Sequence, residues 1–427
     1  MTIPDAGGQA PGASTALLTD HYELTMLAGA LRSGAAERRS VFEVFARYLP
    51  YGRRYGVVAG TGRLLEALQR FRFGPGELEF LRETGVTDEA TLGYLKSYQF
   101  TGAIWGYAEG DCYFPGSPIL VVEAPFAQAV VLETLILSVL NHDCAIASAA
   151  SRMVTAADGR PLIEMGSRRT HERAAVASAR AAYLAGFATT SNLQAGREYG
   201  VPTRGTSAHA FTLVHDSERQ AFQTQLAVQG TDTTLLVDTY DVDRAVRIDS
   251  GDLPVVARRV RALLDELGAH QTRIVLTGDL DEHSIAALAA SPVDGYGVGT
   301  SLVTGSGAPT AALVYKLVAR ALDATGELRP VAKRSVGKPS RGGRKWAVRH
   351  FDQARKADAE VVSTVPPARP GRPLLVPLVR DGKVVGAEPL AEARERHRRA
   401  LAELPLYALQ LSRGYPAIPT LFEPDGR

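Results

Sequence analysis

Between about residue 129 and residue 320 the chain repeats one pattern: a short apolar run, a polar cluster, then a helical stretch. The runs at 161–165 (PLIEM), 234–239 (TLLVDT), 245–250 (AVRIDS), 273–277 (RIVLT) and 293–299 (VDGYGVG) predict strands. The stretches 129–148, 170–185, 252–268 and 281–290 predict helices, and the third is well marked. Its Leu253, Val256, Val260, Leu263, Leu264 and Leu267 make an apolar stripe with Arg and Glu opposite. Strands separated by helices run parallel, because each helix carries the chain back to start the next strand beside the last. The pattern therefore predicts an α/β fold, with all strand C-termini opening onto one face if the sheet closes into a barrel.

The flanks read differently. Residues 17–33 predict a helix, with Leu24, Leu27, Ala28 and Leu31 at helical spacing and Asp20 placed as an N-cap. A strand over 40–48 follows, alternating Val41, Glu43, Phe45 and Arg47, then helices near 61–71 and 76–98. Gly and Pro punctuate 100–127 into short strands, a β patch. Beyond 330 the chain is basic and turn-rich, passes a proline linker (365–373), returns to β over 374–386 and ends in a charged helix, 389–403. That return is too short to stand alone and is expected to pack on the N-terminal β patch. The expected organisation is a disordered leader (1–14), a domain from 15–128 plus 330–427, and a catalytic α/β domain over 129–329.

Composition removes several function classes. A net charge of +2 gives no basic field for nucleic acid. Charged or polar residues interrupt every apolar stretch before the ~20 needed to span a bilayer, so no transmembrane helix is expected. Two cysteines, Cys112 and Cys144, exclude a disulfide framework and a four-cysteine zinc site. Both are expected to be buried reduced thiols, which places the chain in the cytoplasm. No HxH or HExxH spacing offers a zinc site, and no GxxxxGK[ST] offers a Walker phosphate loop.

Chemistry concentrates where the strands end. In order come Gly166-Ser167-Arg168-Arg169, then Thr203 through Arg204 and Thr206 to His209, Asp238-Thr239-Tyr240-Asp241, Asp249-Ser250-Gly251-Asp252, Gly278-Asp279 and Gly299-Thr300. One Asp after a strand is ordinarily the N-cap of the next helix. A succession of such ends carrying Arg, His and Asp is not explained by capping alone. Gly297, Gly299 and Thr300 supply backbone N–H groups at a helix start, suited to a phosphate. Arg168 and Arg169 offer guanidinium forks for carboxylate or diphosphate oxygens. Asp249, Asp252 and Asp279 suit ribose hydroxyls, or Mg²⁺ through its waters. Together these point to an anionic phosphosugar. None of these ends carries a Lys, which argues against a Schiff-base aldolase.

With these motifs the chain resembles the nicotinate phosphoribosyltransferase family over nearly its whole length. The resemblance runs through LLTDHYELTM (17–26), FEVFARYLPYGRRYGVVAG (42–60), EMGSRRTH (164–171), SNLQAGREYGVPTRGTSAHAF (191–211), VRIDSGDL (246–253), LTGDLDE (276–282), GYGVGTSLVT (295–304) and PVAKRSVGKPSRGGRKWAVR (330–349). It implies an irregular α/β barrel with an open-faced β-sandwich built from the N- and C-terminal segments. The implied reaction makes nicotinate mononucleotide and diphosphate from nicotinate and 5-phosphoribosyl 1-diphosphate, with ATP as co-substrate and Mg²⁺. The implied assembly is a homodimer whose sites borrow the partner's N-terminal segment.

Position by position, the resemblance makes His209 the histidine that ATP phosphorylates and puts Thr206 in the nicotinate-contacting part of that motif. Tyr22 is implied to stack on the pyridine ring, with Asp20 beside it. Arg247 is implied beside the nicotinate ring, with Asp249 following. Gly278 and Asp279 are implied at the ribose, with Asp252 near it, Gly299 and Thr300 at the 5′-phosphate, and Arg168 and Arg169 at the diphosphate and pyridine end. The 333–345 stretch departs from the family's usual pattern at Arg334 and at Arg341-Gly342. Nicotinamide phosphoribosyltransferase, or a non-catalytic phosphosugar-binding relative, is the alternative reading.

Overall fold

The computed structural model describes residues 13–230, 233–236, 247–248, 251–333, 340–366 and 371–423. It is a mixed α/β structure with several sheets. The repeating pattern of the middle region forms a five-stranded parallel sheet in the order Thr189–Thr190, Leu162–Glu164, Gly295–Val298, Val275–Leu276, Arg247–Ile248. Register sets its C-terminal edge: Glu164 lies opposite both Val298 and Thr190, and Ile248 opposite Leu276. Of the predicted 234–239 strand, Leu236 bridges Arg247 in parallel, and residues 237–239 lie outside the described residues.

The flanks build a seven-stranded sheet in which Arg39–Ala46 pairs antiparallel with Leu120–Pro125, the central strand, and with Leu313–Arg320. The C-terminal return joins it as the β pattern suggests, Val376–Arg380 pairing antiparallel with Ala103–Gly106. The helix Leu390–Glu403 goes elsewhere. It buries Ala393, His397 and Ala400, and the Arg394 guanidinium caps the end of helix Glu172–Leu184 through the carbonyls of Tyr183, Phe187 (2.7 Å) and Gly186 (3.1 Å). A C-terminal helix end leaves carbonyls without partners, so a cation there stabilises it.

Local chemistry explains where other elements depart from expectation. The predicted helix 76–98 is two helices, Pro75–Glu83 and Glu89–Lys96. Gly85, at φ 64°, ends the first, and Asp88 caps the second by accepting from Thr91 N–H at 2.9 Å. The predicted helix 129–148 continues to Ala157. The stretch Phe126–Ala157 is in fact long and apolar enough to cross a bilayer, contrary to the count of uninterrupted apolar residues, but 67% of its apolar window is buried inside the fold. It is a core helix. Cys112 and Cys144 are both buried and free.

Candidate active site at the edge of the parallel sheet

Strand ends bring distant segments together here. Arg247, buried to 8% exposure, donates through Nη1 to Thr206 Oγ1 at 2.6 Å and through Nε to Thr277 Oγ1 at 3.2 Å. Thr277 in turn donates its N–H to Ile248 O at 2.8 Å. Three of the motif segments, 191–211, 246–253 and 276–282, thus converge on one guanidinium. The chain then turns sharply through Gly278 (φ 107°) and Asp279 (φ 48°), leaving the Asp279 carboxylate exposed at the edge. An acid tolerates that left-handed backbone better than a branched residue does.

Close packing binds the next two loops together. A Cβ on Gly297 would lie 2.6 Å from Thr277 Cγ2 and 2.8 Å from Met165 Sδ, so only glycine fits between those turns. A Cβ on Gly166 would lie 2.2 Å from Val303 Cγ1 and 3.2 Å from Gly299 O. The arginine turn therefore rests directly on the Gly299–Thr300 turn, which opens the short helix Thr300–Val303. Arg168 and Arg169 project from it, exposed, with no ion pair or side-chain hydrogen bond among the described residues.

Sequence reasoning gave no role to two residues that organise this edge. Glu164, fully buried, accepts from Gly166 N–H at 2.5 Å and from the Thr190 hydroxyl, and burial raises its carboxyl above the usual value. It ties the arginine turn to the segment that leads to Thr206. Asn192 donates to Ser167 Oγ at 3.0 Å. A buried acid inside EMGSRR was the available signal for the first.

Other predicted residues sit differently. His209 is half-buried and begins the helix His209–Leu213, so it is not at a strand end; the loop Arg204–Ala208 separates it from the Thr190–Thr203 bridge. Asp252 is exposed and caps helix Leu253–Glu266, accepting from Val255 N–H at 3.3 Å, the ordinary job of an acid in that position. Asp238, Asp241, Asp249 and Ser250 lie outside the described residues. Asp20 and Tyr22 open the helix His21–Ser33, and no hydrogen bond among the described residues joins them to Arg247. Tyr22 is 42% exposed; partial burial, then the Glu133 charge, pushes its phenol up to about 12.

No group of three or more His, Cys, Asp or Glu side chains suited to a metal occurs among the described residues. The exposed Asp279 carboxylate is of the type that holds a hydrated Mg²⁺ through its waters, a mode that needs only one or two protein carboxylates. The donor set fits that ion.

The nicotinate phosphoribosyltransferase N-terminal domain model matches residues 17–141. Nicotinate phosphoribosyltransferase pncB1 of Mycobacterium tuberculosis is 58% identical over 430 residues, covering 95% of this chain and 94% of the relative. The Bacillus subtilis nicotinate phosphoribosyltransferase is 35% identical over 329 residues, covering 72% of this chain and 67% of its own length. The crystal structure of human nicotinic acid phosphoribosyltransferase shares the fold, with a TM-score of 0.82 at 24% identity over 95% of this chain and 97% of that one.

Proposed function

The chain belongs to the nicotinate phosphoribosyltransferase family and is an enzyme of that class in NAD biosynthesis, and on that premise we propose how its residues carry the reaction. The observation that supports the reading most is the convergence of Thr206, Arg247 and the Thr277–Asp279 turn at one sheet edge. We read the parallel sheet as part of an irregular barrel, the seven-stranded sheet as one face of an open sandwich, and the compartment as the cytoplasm.

Nicotinate is a carboxylate, so selecting it over its neutral amide needs a cation in the base pocket. Arg247, already fixed by two threonine hydroxyls, and Arg169 supply that charge. The phosphosugar lies along the same edge, with its 5′-phosphate on Gly299 and Thr300 and its ribose hydroxyls on Gly278 and Asp279. Asp249 and Asp252, which follow Arg247 in the chain, are read with the ribose and Mg²⁺ as well. The pyridine nitrogen attacks C1 as the C1–oxygen bond to diphosphate breaks. Positive charge grows on the sugar while negative charge grows on the departing diphosphate, which Arg168 and Arg169 stabilise. Mg²⁺, when bound on the diphosphate, neutralises part of that leaving charge.

ATP enters as co-substrate. His209 takes its γ-phosphoryl group on a ring nitrogen, releasing ADP, and water later returns the ring and inorganic phosphate. A phosphoryl group of about −1.5 to −2 charges beside the phosphosugar orders the site for binding. Tyr22 and Asp20, which no hydrogen bond among the described residues joins to Arg247, serve a second copy's site in a homodimer. Exposed Leu17, Leu18, Tyr22 and Met26 give that segment an apolar face for the partner.

The test uses γ-labelled ATP. A phosphohistidine is acid-labile and base-stable, so the wild-type protein should carry a label with those properties and His209→Asn should carry none. An undiminished label in His209→Asn would move the phosphoryl acceptor elsewhere.

A further inference from the structure

Behind the Gly299–Thr300 turn the backbone passes through three consecutive left-handed residues, Gly305 (φ 61°), Ser306 (φ 49°) and Gly307 (φ 82°). Glycine adopts that backbone readily, but a residue with a Cβ is strained there and must be held by its surroundings. Ser306 N–H is held by Ser301 O at 2.6 Å, and its hydroxyl donates to Glu282 Oε2 at 2.7 Å. On the far side, Arg53 Nη2 donates to Gly305 O at 2.5 Å.

Glu282 does not end at Ser306. Its Oε1 accepts from Arg152 Nε at 3.0 Å, and Arg152 Nη2 reaches on to Leu411 O at 2.8 Å. The two side chains are 6% and 9% exposed. Burial pushes the Glu282 carboxyl up, but the Ser306 hydroxyl, backbone N–H and Arg152 together bring it below the usual range. Glu282 also begins the helix that follows the Gly278–Asp279 turn. One carboxylate therefore joins that turn to the loop behind Thr300 and anchors both, through Arg152, to the core helix Glu133–Ala157.

We propose that Glu282 is a positioning residue that sets the separation between the ribose turn and the 5′-phosphate loop. This rests on the reading that Gly278–Asp279 and Gly299–Thr300 hold the two ends of the phosphosugar. A rigid ligand gripped at two points binds well only when the grips are correctly spaced. The hydrogen bonds that fix the nicotinate end do not include this carboxylate, because Arg247 holds Thr206 and is itself held by Thr277.

Steady-state KM values for phosphoribosyl diphosphate and for nicotinate, with melting curves, are measured on Glu282→Gln, Ser306→Gly, the double variant and Thr300→Val. Ser306→Gly favours the left-handed backbone while deleting the hydroxyl, so it separates the hydrogen bond from backbone strain. Each single variant should raise the phosphoribosyl diphosphate KM by roughly threefold to tenfold, the range a lost hydrogen bond gives. The nicotinate KM should stay within about twofold, a split that general unfolding would not produce. The double variant should be no worse than the worse single one, since both break one link. If Thr300→Val raises that KM while Glu282→Gln and Ser306→Gly leave it unchanged, the positioning role is wrong and the phosphate site stands. If none of the variants moves it, the phosphate site itself is wrong and the proposal falls with it.

Discussion

Two arginine-rich regions of this molecule use the same side chain in opposite ways. Where the sheets of the N- and C-terminal segments meet, Arg349 is fully buried and paired: its two terminal nitrogens donate to Asp111 Oδ1 at 2.8 Å, Cys112 O at 2.6 Å and Glu360 Oε1 at 2.5 Å. Arg372 closes the cluster onto Asp111 Oδ2 at 2.6 Å and Glu403 Oε2 at 2.7 Å. Burial pushes the Asp111 carboxyl up, but two guanidiniums bring it below the usual range; Glu360, with one, is left raised by burial. At the edge of the parallel sheet, Arg168 and Arg169 are exposed and have no carboxylate partner among the described residues. A guanidinium already paired with buried carboxylates stabilises the fold, and one without a carboxylate partner can receive an anion. Count and composition cannot tell the two apart; partnership can.

The largest expected effect breaks the first region. Arg349→Met leaves Asp111 and Glu360 as buried charges short of a partner, and should cost about 3–5 kcal/mol in a denaturant titration. The fraction that folds should keep the wild-type KM for both substrates. A loss below about 1 kcal/mol would mean that the cluster is not structural.

The histidines repeat the comparison. His397 is fully buried, and burial pulls its ring down to about 4 despite the Gly110 carbonyl at 3.0 Å from Nδ1. Its Nε2 lies 3.0 Å from Ser151 Oγ, a pair that the neutral ring satisfies as donor and acceptor. In the unfolded chain the ring has its ordinary value near 6.5, so between that pH and about 4 the unfolded state holds the extra proton. Stability from this residue is thus present above pH 6.5 and is lost as pH falls towards 4, at up to about 1.4 kcal/mol per pH unit. Denaturation midpoints across that window should show a slope that His397→Gln flattens. An unchanged slope would place the titration in another group.

In the second region, Arg169→Ala should leave stability within about 0.5 kcal/mol, as for an exposed side chain. It should raise the nicotinate KM by the equivalent of about 1.5–3 kcal/mol, the worth of a charge-assisted contact. Arg247→Ala should raise it as well and also lower stability, since Arg247 is tied to Thr206 and Thr277. Unchanged KM in both variants would remove these arginines from the pocket. The smallest effect is expected at the Gly299–Thr300 turn. Thr300→Val removes one hydroxyl, for about 0.5–1.5 kcal/mol in phosphoribosyl diphosphate binding. Gly299→Val, which blocks backbone approach, should be the worse of the two.

Much of this was legible because periodicity and strand-end chemistry are local. Strands near 162, 247, 275 and 295, and the polar ends after them, could be read one at a time. Convergence of Thr206 on Arg247 could not, because it depends on how loops far apart in sequence fold back over one edge. The same holds for Glu164 and Glu282, whose roles lie in partners at Thr190 and Ser306. Asp252 shows that a residue type suited to a ligand also does the commoner work of a cap, and residue type alone does not separate the two. The path of helix Leu390–Glu403 was also out of reach, since its charged face conceals that Arg394 seeks three carbonyls of another helix.

We propose above all that phosphoribosyl transfer to nicotinate is coupled to ATP by phosphorylation of His209. Product formation from labelled nicotinate or labelled nicotinamide, with phosphoribosyl diphosphate and with or without ATP, tests it in wild type and His209→Asn. The expected result is nicotinate mononucleotide from nicotinate, strongly stimulated by ATP in the wild type. In His209→Asn slow ATP-independent transfer should remain, without stimulation. Equal use of nicotinamide, or full ATP stimulation in His209→Asn, would contradict it.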